Sequence, residues 1–284
     1  MNQDLTIYGI SVVWIITFVF ITGRYLLFAG GAYLFFWVWK REKWKYKRTQ
    51  IEYPEKSKLI NEFKYSMITM IIFSFVGIGI FIARKNGLTF IYQDFNSQGW
   101  GYFLFSVIAM IFIHDTYFYW THKLMHHKSI FKYVHKVHHN STNPSPWAAF
   151  SFHPFEAVVE AGILPLIVFI MPVHPIAILS FLIYMTFMNV LGHLGFELYP
   201  KGFTTHWLGK WNNTSTHHNM HHKYYNCNYG LYFNIWDRIM GTNHPNYFQT
   251  FEEVKSRNPN ILEQGIKDSS KLTPAHSGVL DLRN

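Results

Sequence analysis

Among 284 residues there is one cysteine, Cys227. A lone thiol excludes an internal disulfide framework, a cysteine-based zinc site and an iron–sulfur cluster held by this chain alone. Charge is scarce as well. Charged types make up 14% of the chain, against about 25% in an average soluble domain, which argues against disorder and against a hydrated surface all round. Acidic residues are the scarcer sign, 16 against 25 Lys and Arg, for a formal net charge of +9. That excess points to an anionic surface, either membrane or nucleic acid. Several strings are missing too: no Gly-rich dinucleotide loop follows a strand, and there is no haem-binding HPGG and no HExxH of a zinc protease. The GIG at 77–79 lies inside an apolar run and reads as helix packing.

What is present in quantity is apolar sequence. Apolar types reach 49% and aromatics 19%, and the mean hydropathy of +0.02 averages unlike segments. Residues 5–23 carry no charge; Arg24 interrupts, and 25–39 continue uncharged. Residues 66–83 are uncharged, 101–113 are apolar and run into HDTYFYW, and 161–192 contain no Asp, Glu, Lys or Arg. Uncharged stretches of about 18 residues or more read as membrane-spanning helices. The first run has no basic residues before it and is longer than a signal-peptide core. Whether 5–39 cross once or twice stays open. Pro172 to Pro175 (MPVHP) marks a turn between two helices of about 17 residues, each about 25 Å long. That predicts a hairpin that enters the bilayer and returns, with His193 on the same side as His126.

Basic residues set the orientation. Lys40, Arg41, Lys43, Lys45, Lys47, Arg48, Lys56 and Lys58 crowd into 40–58, which the positive-inside rule places in the cytoplasm as a membrane collar. Residues from 244 to 284 are expected to be a polar cytoplasmic tail.

Histidine is the outlier. Of 17, 15 fall between His114 and His222. Three clusters recur: His122 and His126 with His127 following; His135, His138 and His139; and His218, His221 and His222 with His217 preceding. Spacings of three and four put imidazoles on one helix face, and His114, eight residues before His122, is able to join the first group. Imidazole is the commonest nitrogen donor for transition metals. The two HxxHH strings and the HxxxH supply eight nitrogens, enough for two metals. Eight imidazoles converging without metal leave many buried polar groups to satisfy. The bland alternative is a surface pH-sensing cluster.

The strings HDTYFYWTHKLMHH, KYVHKVHHNSTNPSPWAAFSFHPFE, NVLGHLGFELYP and STHHNMHHKYYNCNYGLYFNIWDRIMGT together resemble the membrane-bound fatty acid hydroxylase/sterol desaturase superfamily, over about residues 101–243. The resemblance implies an all-α, multi-pass transmembrane bundle. It has spans and a basic loop in 1–100, a catalytic domain in 101–243 and a cytoplasmic histidine-rich cap holding two non-haem irons. It implies O2-dependent oxidation of a lipid C–H bond, a sterol, fatty acyl chain, sphingolipid or ether lipid being the substrate, with hydroxylation and desaturation both open. It assigns as ligands His122, His126, His135, His138, His139, His218, His221 and His222, and adds His193 from NVLGHLGFE. His114 is read as a ligand or an outer neighbour. Some members carry a further histidine where this chain has Asn189.

His127 and His217 are expected outside the ligand set, and His153 as an outer neighbour or interfacial anchor. Asp115 and Asp237 are read as orienting imidazole N–H groups, with a cap or a pairing to Arg238 as the alternative for Asp237. His174, His206, His244 and His276 read as structural. With no redox motif in the chain, electrons have to come from a separate ferredoxin or b-type cytochrome with its reductase. It would dock on 40–58 and on Lys123, Lys128, Lys132 and Lys136. The bilayer, bacterial inner membrane or endoplasmic reticulum, is the other partner, and nucleic acid is not one. The competing class is a histidine-rich metal transporter or store, which should carry ligands along its spans.

Overall fold

The computed structural model describes residues 7–259; His276 and the rest of the expected tail lie outside them. The described residues are helical, with isolated bridges and no strand. Helix α1 (Ile7–Tyr25) continues without a turn through two π-helical stretches, Leu26–Gly30 and Tyr33–Trp39. The open question over 5–39 thus resolves to one long helix, able to cross once. Helix α2 (Lys56–Lys85) returns beside it. Trp14 Nε1 donates to Ser74 Oγ at 2.9 Å, and Tyr25 and Ser66 both donate to the Trp147 carbonyl, which fixes the pair as antiparallel. Helix α3 (Gly99–Met125) leads to the first histidine cluster, and the short helices α4 (Phe131–Val134) and α5 (Lys136–His139) carry the second.

The expected hairpin is present, with an unequal first arm. That arm consists of α6 (Pro154–Ala161) and α7 (Ile163–Ile170), and the second is α8 (Pro175–Gly192). The break falls at Gly162, where a Cβ would stand 2.8 Å from the Tyr117 hydroxyl. The hairpin tip reaches the loop between α2 and α3: Phe90 N–H donates to Val168 O at 2.9 Å and Tyr102 to Pro172 O at 3.0 Å. It therefore extends as deep as the spanning helices do. Four helical stretches, Ile7–Trp39, Lys56–Lys85, Gly99–Met125 and Pro175–Gly192, are long and apolar enough to cross a membrane. Their outward apolar side chains stay exposed, Ile7, Leu27, Phe75 and Leu104 among them, as a lipid-facing surface requires. Lipid tails are as apolar as these residues, so cohesion rests on packing and buried polar pairs.

The remaining helices, α9 (Ser215–Tyr224), α10 (Ile235–Ile239) and α11 (Tyr247–Ser256), cap one end of the bundle. Residues 247–256 are not a free tail. Tyr247, Phe251 and Val254 repeat at helical spacing and are buried, the first two packing on Met220. Arg48 is likewise not part of an exposed collar. It is fully buried, stacked on Trp37 and Tyr53, with its guanidinium donating to the Gln50 and Glu52 carbonyls. It thereby folds the 40–58 segment back onto Trp37 at the end of the first helix.

Candidate metal centre

Each histidine cluster reaches the centre on its own element. His122 sits in the last turn of α3 and His126 is its C-terminal cap residue. His138 and His139 lie in α5, which His135 opens. The third cluster rides on α9. The Thr214 side chain caps that helix by accepting the His217 N–H at 3.2 Å, and Glu197 accepts the Thr216 N–H and hydroxyl at 2.9 and 2.7 Å. His193 follows the last residue of α8.

These elements bring nine imidazoles into two groups. His122, His126, His135, His139 and His221 form one; His138, His193, His218 and His222 form the other, with ligand atoms in each group within 4.8 Å of one another. Four of the rings are held from behind. Nδ1 of His122 lies 2.9 Å from the Tyr229 carbonyl, that of His221 2.7 Å from Cys227 O, and that of His193 2.8 Å from Asn189 O. A carbonyl only accepts, so these Nδ1 atoms carry the proton. His135 Nδ1 meets Glu156 Oε1 at 2.7 Å and donates likewise.

In a neutral imidazole the opposite nitrogen is then a bare lone pair. Those bare nitrogens face other imidazoles: His122 Nε2 stands 3.0 Å from His135 Nε2, His221 Nε2 3.0 Å from His139 Nε2, and His193 Nε2 2.9 Å from His218 Nε2. For His122 and His135 both facing atoms lack a proton. Lone pairs aimed at one another with no hydrogen between them repel, and a cation between them converts repulsion into ligation. The groups fit two metal ions on this ground. Burial, reinforced by the neighbouring imidazoles, holds His135, His138, His139, His218, His221 and His222 far below the usual histidine range. His126 falls to about 2 for the same two reasons, and burial lowers His193 to about 4. At neutral pH all eight are uncharged bases, the state a metal needs.

The fatty acid hydroxylase family profile matches residues 107–242, the stretch that carries both groups. The chain belongs to the fatty acid hydroxylase/sterol desaturase superfamily. It is similar to a Delta(7)-sterol 5(6)-desaturase of Gibberella zeae, 32% identical over 66% of this chain and 56% of that protein. It is also similar to lathosterol oxidase of Rattus norvegicus, 28% identical over 85% of this chain and 80% of the other. A further Delta(7)-sterol 5(6)-desaturase, from Aspergillus fumigatus, is 29% identical over 78% and 72%. The match to the first relative thus spans just over half of its length. No solved structure matches the chain. The family profile and the names of these relatives are those of lipid hydroxylases, desaturases and oxidases.

Other residues of this superfamily member fall outside the two groups. His114 is held away, with Nδ1 2.7 Å from the Tyr232 hydroxyl. Asn189 donates its amide to Ala149 O at 2.6 Å and offers its own carbonyl to His193, so it serves as a support. Asp115 and Asp237 do not hydrogen-bond an imidazole of either group. Asp237 accepts the Tyr229 and Gly230 N–H groups at 2.8 Å each, and Asp115 those of Tyr232 and Phe233 at 2.8 and 3.2 Å. They shape the strip whose Tyr229 carbonyl clamps His122. Arg238 leaves Asp237 alone and binds Asn234 and the Lys210 carbonyl.

His217 packs on Tyr247, with Nε2 3.7 Å from Asp237. The Nδ1 atoms of His127, His153, His174, His206 and His244 accept backbone N–H groups two residues on. Sequence reasoning missed the supporting role of Glu156, although it stood in the HPFE string. A pair of carboxylates four residues apart, Glu156 and Glu160, in an otherwise apolar stretch was the available signal.

Proposed function

We propose that the chain is a di-iron sterol desaturase that removes two hydrogens from neighbouring sterol carbons. The change balances as one sterol, one O2, two electrons and two protons giving the sterol with one further double bond and two waters. The sterol is taken from the names of the relatives. The observation that carries the metal reading is the set of facing Nε2 atoms behind which Nδ1 is already spent.

His122, His126, His135, His139 and His221 would hold one iron, and His138, His193, His218 and His222 the other. Bound there, iron supplies the O2 activation that an unactivated C–H bond demands and that no acid–base side chain provides. The protein's residues do the rest. The Tyr229, Cys227 and Asn189 carbonyls and Glu156 keep the ligands aimed. An apolar cavity of about 180 Å³ would receive part of the lipid beside the centre, lined by Phe118 and Phe152, which also touch His122 and His138. Its walls exclude bulk water from the reacting carbon.

The metal-bearing end would face the cytoplasm, since the 40–58 segment lies there and is rich in Lys and Arg. Exposed Lys128, Lys132 and Lys136 beside the second cluster suit an acidic ferredoxin or b-type cytochrome as electron donor. The membrane would be a bacterial inner membrane or the endoplasmic reticulum. A metal transporter would need ligands distributed along its spans, whereas both groups crowd at one end. The test is a lipid mass spectrum of expressing and deleted cells fed lathosterol. A product two mass units lighter is expected only with the protein. An unchanged sterol pool, or a product sixteen units heavier, overturns sterol desaturation.

A further inference from the structure

Part of the cap lies beside the spanning helices instead of above them. Phe233 stacks on Phe112 of α3 with ring centroids 5.2 Å apart, and Trp236 packs on Trp120 and donates Nε1 to Thr116 Oγ1 at 3.1 Å. Residues 206–211 are tied to that strip. Asn234 N–H donates to Trp211 O at 3.0 Å, and the Arg238 guanidinium to Lys210 O at 2.7 Å. Depth follows from α3. Trp100, exposed near its start, suits the far interface. At about 1.5 Å per residue, Phe112 stands about 18 Å further along and Trp120 about 30 Å, against a hydrocarbon core about 30 Å thick. The strip therefore runs from within the leaflet on the metal-bearing side to its headgroups.

The outer face of this strip is apolar. Trp207 is 68% and Ile239 67% exposed, and Leu208, Trp211 and Met240 are exposed with them. Phe112 and Trp120 are exposed too, so the face continues the lipid-facing stripe that Leu104 and Ile108 begin on α3 at a spacing of four. Exposed apolar patches of this kind mark interaction surfaces. The outward charges around it have one sign. Lys210 and Arg238 lie over the Trp211 ring, and Lys201 is exposed. The acidic neighbours turn inward: Asp237 is fully buried on the Tyr229 and Gly230 N–H groups, and Glu252 accepts the Gly202 N–H at 2.8 Å. Aromatic rings flanked by cations fit the boundary between acyl chains and anionic headgroups. A water-soluble partner would have to displace lipid to reach a face at this depth. We propose that residues 206–211 and 235–240 form an in-plane membrane anchor, which seats its exposed apolar side chains at the acyl boundary of an anionic leaflet and sets Lys201, Lys210 and Arg238 on the headgroups. The anchor goes beyond the desaturase reading and is independent of which lipid the metal centre oxidises.

The test uses the iron-loaded full chain in nanodiscs of phosphatidylcholine and phosphatidylglycerol, with a fluorophore at Leu208→Cys, Ile239→Cys or Lys128→Cys; the native Cys227 is buried. Lys128 is exposed beyond the end of α3 and serves as the aqueous reference. Two quenchers are compared, a lipid spin-labelled near the top of its acyl chain and acrylamide in the water. An anchor sits about 5–10 Å into the boundary, so the lipid should quench positions 208 and 239 about twofold or more over position 128, with the acrylamide order reversed. Combining Lys201→Gln with Lys210→Gln, or omitting phosphatidylglycerol, should lower the lipid quenching at 208 and 239 and raise that by acrylamide. If one labelled variant fails to fold, the other gives the same readout. Positions 208 and 239 as open to acrylamide as position 128 overturn the proposal. Shielding from both quenchers also overturns it, since a partner protein, a second copy or another stretch of this chain then covers the face. Lipid quenching that ignores both phosphatidylglycerol and the two lysines overturns the anionic leaflet as the occupant.

Discussion

Glu156 shows how one residue orients an imidazole of the centre without joining it. Its carboxyl holds His135 by Nδ1 at 2.7 Å and so fixes which nitrogen faces the centre. Such supports are worth about 10–100-fold in metal affinity. Glu156→Ala should therefore lose iron to a chelator about 10–100-fold more readily than wild type, and equal retention would contradict the clamp. Protons compete for the buried imidazole nitrogens, inside the groups and beside them. Burial lowers His193 and His217 to about 4 from an ordinary 6.5. A depressed value means that the unfolded chain binds more protons, so this stabilisation is complete above about pH 6.5 and is lost as pH falls toward 4. The melting temperature of metal-free protein should drop across that window, and a flat profile would contradict buried neutral imidazoles.

The histidines that gather into the two groups were legible in the sequence, because their residue type and helical spacing are local. The carbonyls of Tyr229, Cys227 and Asn189 were not. They are backbone atoms with no side-chain signature, and Tyr229 lies 107 residues from the histidine it holds. His114 had the right type and a plausible spacing, and only the tertiary position of Tyr232 shows what it bonds to.

At the scale of elements, the junctions matter more than the helices. Gly195 has φ +73°, and a Cβ there would stand 3.1 Å from Trp37 and 3.2 Å from the buried Arg48 guanidinium. Gly195→Ala should destabilise the protein by about 1–3 kcal/mol, read as a lowered thermal midpoint with the spans still helical. Thr214→Ala removes the cap of the helix bearing His218, His221 and His222 and should cost about 1 kcal/mol. The hairpin turn at Pro172 was readable from its prolines. The division of the first arm at Gly162 was not, since it depends on the close approach of Tyr117 from α3. The burial of Arg48 was hidden for the same reason: in sequence it is one basic residue in a basic run, and its aromatic cage comes from residues 37, 53 and 196.

For the whole molecule, one continuous first helix dictates topology. Residue 8 and the 40–58 segment lie at opposite ends of it. In cells carrying single substitutions Tyr8→Cys, Lys43→Cys or Lys223→Cys, an impermeant thiol reagent should label position 8 on one face of the membrane and positions 43 and 223 on the other. The native Cys227 is buried. Labelling of positions 8 and 43 from the same side would contradict a single crossing. The spans, cap and cavity converge on one claim, that two histidine-held irons oxidise a lipid at the end of this bundle. The most direct test is the product mass after iron-loaded protein, with two irons per chain, is given lathosterol, O2 and a reductant, beside His138→Ala. The account predicts a sterol two mass units lighter from wild type and none from a folded, iron-depleted His138→Ala. Unchanged sterol from wild type with both irons bound, or full iron and full conversion in the variant, would contradict it.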